Sequence, residues 1–129
     1  MTTAAIAAAL GFLVIATFQA ALALGAPLGR AAWGGASATL PSRLRRASAA
    51  SAVIWLVAVV VILERVGIEI VPLPISVILV GAWVLVVLSA LGAIVNFASS
   101  SRWERFGWGP LALVLALLSL VVAVSKSAQ

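Results

Sequence analysis

Cysteine, histidine, tyrosine and aspartate are missing altogether from this chain. Without cysteine there is no disulfide, no thiolate nucleophile and no sulfur-ligated metal. Without histidine, and with Glu64, Glu69 and Glu104 as the only carboxylate side chains, the ligand sets that hold zinc or a di-iron pair cannot be assembled. The same deficit removes the usual base for a serine nucleophile. Glu104 and Lys126 are the conceivable proton carriers near an interface, and the topology derived below puts them on opposite sides. Neither enzymatic activity nor a cofactor is expected. Charge is scarce as well: 9% of residues are charged, where a soluble domain carries roughly 25%.

Apolar side chains take up that share. They make up 65% of the 129 residues, with a mean hydropathy of +1.31. So few polar groups cannot cover a water-facing surface. Residues 1–29, 47–63, 70–101 and 106–125 hold no charged side chain. A bilayer span needs about 17–25 mostly apolar residues, which places spans at about 4–24, 48–66, 75–97 and 109–124. In hydrocarbon such runs must be helical, because only a helix satisfies its own backbone groups. The expected fold is therefore all-α: one transmembrane domain, an integral membrane four-helix bundle of two helical hairpins.

The breaks between spans carry their own signals. Gly25-Ala26-Pro27-Leu28-Gly29 ends the first helix, and Gly67 with Pro72 and Pro74 marks the second connection. Gly107, Gly109 and Pro110 open the fourth helix, with Pro110 suited to its first turn. Arg30, Arg43, Arg45 and Arg46 lie in the first connection, Arg102 and Arg105 in the third, and only Arg65 and Lys126 on the other side. That asymmetry predicts cytoplasmic Arg-bearing loops and both termini on the non-cytoplasmic side of a bacterial plasma (inner) membrane. A first span with no leading Lys or Arg and a long apolar run reads as retained, not as a cleaved signal. The basic pI of about 11.9 comes from a few clustered arginines and predicts no nucleic-acid partner.

The polar residues within and beside the spans are the candidates for function. Gln19 and Asn96 are the most polar intramembrane groups, expected at similar depth as an interhelical hydrogen-bonding pair. Ser89, Gly92, Ala93 and Asn96 form a small polar stripe on the third helix. The third connection gathers Ser99, Ser101, Arg102 and Arg105, which together with Arg30 make a candidate site for an anionic headgroup. Glu104 is expected to pair with Arg30 or Arg105. Trp33, Trp103 and Trp108 read as interface anchors, and Trp55 and Trp83 as packing residues. Glu64 and Arg65 reach headgroups or pair with each other. Arg30-Ala31-Ala32-Trp33-Gly34-Gly35 and Arg105-Phe106-Gly107-Trp108-Gly109-Pro110 share the spacing Arg-x-x-Trp-Gly, a possible trace of duplicated hairpins.

The segments Gly25-Ala26-Pro27-Leu28-Gly29 with Trp33-Gly34-Gly35, and Asn96-x-x-Ser99-x-Ser101-x-x-Glu104-Arg105-x-x-Trp108-x-Pro110, resemble those of an uncharacterised family of short four-helix integral membrane proteins from high-GC Gram-positive bacteria. The resemblance implies the same topology and draws attention to the third connection; it names no ligand. The expected function is a small non-enzymatic multi-pass membrane protein, either an accessory subunit or a module contacting lipid headgroups. Its partners would be membrane lipids, a second copy or a larger membrane complex. The alternative is a minimal oligomeric transporter or channel with Gln19, Ser89 and Asn96 along its path.

Overall fold

A computed structural model of the chain describes residues 1–126. The helices are α1 (Thr2–Ala23), α2 (Ser42–Arg65), α3 (Ile75–Phe97) and α4 (Gly109–Val124), the last entered through a π turn, Glu104–Trp108. Two short 3-10 turns, Gly29–Ala31 and Trp33–Gly35, interrupt the α1–α2 connection. Four helices, with α4 taken from Glu104, are long and apolar enough to cross a membrane. The protein is an all-helical, membrane-embedded chain with no strand among the described residues.

Helix ends follow the local chemistry. At the end of α1, Gly25 takes a φ of +95°. Ala26 N–H then reaches Ala21 O, and Gly25 N–H reaches Leu22 O, both at 3.0 Å. This Schellman arrangement needs a left-handed residue, which glycine supplies without strain. Gly67 ends α2 in the same way.

Two boundaries differ from expectation. α2 starts at Ser42, directly after Pro41, and not at 48. Arg43, Arg45 and Arg46 thus ride on its first turns, where arginine's good helix propensity extends the span toward water. The last helix begins upstream of 109. Ser101 Oγ accepts the Glu104 N–H at 3.4 Å, an N-terminal cap, and the helix runs from Arg102. Pro110 then falls inside a continuous helix, four residues after Phe106. Gly109 N–H bonds to Glu104 O, five residues back. The widened π turn absorbs the ring that would otherwise clash with the preceding carbonyl.

α1 packs mainly along α2, and α3 mainly along α4. Contact between these pairs depends on small residues. A Cβ on Gly11 would overlap Leu115, and one on Gly81 would lie 2.9 Å from Val61 Cγ1. These glycines let α1 approach α4 and α2 approach α3. The main core, in the half nearer the chain termini, contains Ala5, Ala8, Phe12, Ala58, Ile62 and Val122. A smaller core of Leu22, Ala32 and Leu40 lies under the first connection. Trp83, expected to pack inside, is 48% exposed and faces outward. Its helix buries Ile78, Ala82, Leu85, Ser89 and Ala93 instead, so residue 83 lies on the opposite face.

Candidate functional site

The Arg-bearing end of the bundle is assembled by one connection docking on another. Gly34, at φ +85°, donates its N–H to Glu104 Oε1 at 2.9 Å. Ser99 Oγ donates to the same oxygen at 2.7 Å. Ser101 Oγ donates to Arg30 O at 2.7 Å, and Trp33 Nε1 donates to Ser48 Oγ at 2.9 Å. Arg30 closes its own turn by donating from Nη1 to Gly35 O and Ala36 O, at 3.0 and 2.9 Å. Arg105 Nε donates to Ser99 O at 3.2 Å, and Arg45 Nε donates to Ala23 O at the end of α1 at 3.2 Å. A buried polar group left unpaired costs about 1–3 kcal/mol, so the bonds of Glu104 and Ser101, both buried, hold the connections in one register.

This arrangement revises the expected ion pair. Glu104 is only 8% exposed, and its observed partners are the Gly34 amide and the Ser99 hydroxyl, not an arginine. Both bonds reach Oε1, and none among the described residues reaches Oε2. Arg30 and Arg105 are instead committed to backbone carbonyls. At the opposite end, Glu64 accepts the Ile70 and Val71 amides. Arg65 donates to Ala123 O and Ser125 O at the end of α4, so these two side chains are not paired with each other either.

Of the candidate headgroup residues, Ser99, Ser101, Arg30 and Arg105 therefore all bond within the protein, while Arg102 stays exposed without a hydrogen bond among the described residues. Trp103 is 67% exposed and Trp33 43%. Trp108 is half-buried, its ring centroid 4.6 Å from that of Phe18. The two Arg-x-x-Trp-Gly segments differ in conformation. The first bends through 3-10 turns with Trp33 at φ +50°, and the second is helical.

At this end the two helix pairs leave a half-open cavity of about 760 Å³ between them. Its apolar wall includes Ile15, Leu88 and Leu115, and its aromatic lining is Phe18, Trp33, Trp55 and Trp108. The Phe12–Trp55 stack, centroids 5.5 Å apart, marks its inner limit. Gln19, Ser89, Asn96 and Glu104 bring polar atoms to it, and Arg43 stands exposed at its rim. Gln19 and Asn96 do meet here, but as wall residues of one cavity. Asn96 Nδ2 donates to Gly92 O of its own helix at 2.7 Å. Gln19 Oε1 and Ser89 Oγ are buried with no partner. A neighbouring cavity of about 530 Å³ shares Phe18, Ala31 and Trp108 with the first and is walled by Leu28, Arg30 and Trp103.

Sequence reasoning missed one member of this site, Ser48, and one contact, that of Glu104 with Gly34. Ser48 sits within an apolar helix and is completely buried, with nothing in its local pattern to mark it. Glu104's reach toward Gly34 spans 70 residues of sequence. The spacing Ser101-x-x-Glu104 did carry a signal: it is the signature of a helix N-terminus and would have placed the start of the last helix correctly. No family model, curated protein or solved structure matches the chain.

Proposed function

We propose that this is a non-enzymatic membrane binding module that receives an amphiphilic, lipid-like molecule between two helical hairpins, α1–α2 and α3–α4. The observation that carries this reading is the cavity of about 760 Å³, within the range of about 300–1,000 Å³ typical of small-molecule sites. Its walls are mostly apolar and aromatic, with a few convergent polar groups, the usual make-up of a ligand pocket. The cavity occupies only one half of the bundle. Phe12, Ala58, Ile62 and Val122 fill the other, which favours binding over a continuous channel. In this reading the Arg-bearing end faces the cytoplasm of a bacterium, both termini lie outside, and exposed Arg46, Arg102 and Arg105 meet anionic headgroups there. The likeness to short four-helix proteins of high-GC Gram-positive bacteria belongs to the same proposal.

The test is retention of amphiphile. Purified protein in lipid nanodiscs is examined by native mass spectrometry, beside Gly92→Leu, which places a large side chain at the cavity wall. The nearest neighbour of a Cβ there is Ala112 Cβ at 3.9 Å, an ordinary van der Waals contact. Wild type should carry one bound amphiphile and the variant none, with equal helicity by circular dichroism. Equal occupancy in both would remove the proposal. Solute flux in proteoliposomes, abolished by Asn96→Leu, would replace it with a transporter.

A further inference from the structure

The carboxylate and the aromatic faces of the cavity point to a class of ligand, an inference that rests on the binding reading above. Among the described residues, the wall carries both donors without a hydrogen bond, the Gln19 amide N–H groups and the Trp55 and Trp108 indoles among them, and acceptors, one of which is charged. Gln19 Oε1 is buried and unpartnered. Asn96 has committed one amide N–H to Gly92 O, which leaves its second N–H and its Oδ1. Trp33 has committed its indole N–H to Ser48. Ser89, 2% exposed, has a hydroxyl with no partner and is able to donate or accept. Glu104 adds a carboxylate whose Oε2 takes no hydrogen bond among the described residues.

An acidic group with no cation beside it is costly at low exposure unless something compensates it. The two neutral donors on Oε1 supply part of that compensation. Trp33, Trp108, Phe18 and Trp55 line the same cavity. Aromatic faces carry negative potential and attract cations, tryptophan most strongly. The arginine guanidiniums do not fill this role. Arg30, Arg45 and Arg105 are tied to backbone carbonyls, and Arg43 is exposed at the rim.

We propose that the cavity binds an apolar organic cation, a quaternary or protonated amine or a delocalised onium ion, with its charge beside Glu104 and its apolar body against Trp33, Trp55 and Leu88.

The test uses two probes of matched shape and opposite charge, tetraphenylphosphonium and tetraphenylborate, titrated into protein in uncharged-lipid nanodiscs and followed by tryptophan fluorescence and calorimetry. The cation should bind at least about tenfold more tightly than the anion, the scale of a desolvated charge contact. Glu104→Gln keeps acceptors for Gly34 N–H and Ser99 O–H, so the fold is retained, and it should erase most of that preference. Arg43→Gln should leave cation binding equal or tighter. If both probes bind, are displaced by Gly92→Leu and show no charge preference, the ligand class is wrong while the cavity reading stands. Tighter binding of the borate, lost in Arg43→Gln, would assign an anionic ligand instead. If neither probe binds in a way that Gly92→Leu abolishes, the cavity reading fails first.

Discussion

In the half of the bundle nearer the termini, Ala5, Ala8, Ala58 and Ile62 bring the helices together until little space remains. In the half nearer the Arg-bearing connections, the same four helices leave an opening of about 760 Å³, and order comes from hydrogen bonds such as Gly34 to Glu104 and Ser101 to Arg30. Small residues explain the first: without a hydrophobic drive between helices in lipid, close contact between backbones and small side chains provides the attraction. Bulky tryptophans and connecting segments explain the second. They hold the helix ends apart while their own polar groups are satisfied across the connections. Binding sites are commonly drawn from such less densely packed regions, because a filled core has no room for a guest.

The contrast can be broken most forcefully in the dense half. Ile62 is fully buried, and Ile62→Ala should cost about 2–5 kcal/mol, as cavity-forming substitutions do, read as reversible unfolding in mixed micelles. Ile15, which borders the open cavity, provides the control. Ile15→Ala should cost clearly less, because part of its surroundings is already empty. Equal losses at the two sites would mean that the two halves pack alike. Next in size is Glu104→Ala, which leaves the Gly34 amide and the Ser99 hydroxyl without their acceptor. It should cost about 1–3 kcal/mol and speed hydrogen exchange at Gly34, whereas Glu104→Gln should leave that amide protected. Smallest is Trp83→Ala. Its ring faces outward, and surface substitutions generally stay within about 0.5 kcal/mol. A larger loss in unfolding midpoint would reveal a partner on that face.

Much of the helical layout was legible in residue order. The α3 span of 75–97 agrees with the observed Ile75–Phe97, and Gly25 and Gly67 mark helix ends where left-handed backbone is required. The apolar pattern puts the start of α2 too late, because charge marks the end of a span in hydrocarbon whereas arginine sustains a helix beyond it. Pro110 puts the start of the last helix too late, because proline favours a first turn, whereas a π turn carries the helix through it. At the candidate site, the concentration of chemistry in 96–110 was visible, but its pairing was not. Glu104 sits one residue from Arg105 and bonds to Gly34, because bringing the connections together aims its carboxylate at an amide across the interface.

Composition and the spacing of charges are enough to dictate membrane-crossing helices, since long apolar runs have one stable backbone form in hydrocarbon. They do not dictate where space is left between those helices. That depends on how Gly11 meets Leu115, how Gly81 meets Val61, and how Trp33 and Trp108 wedge the other end, contacts between residues far apart in the chain that exist only once all the helices have packed.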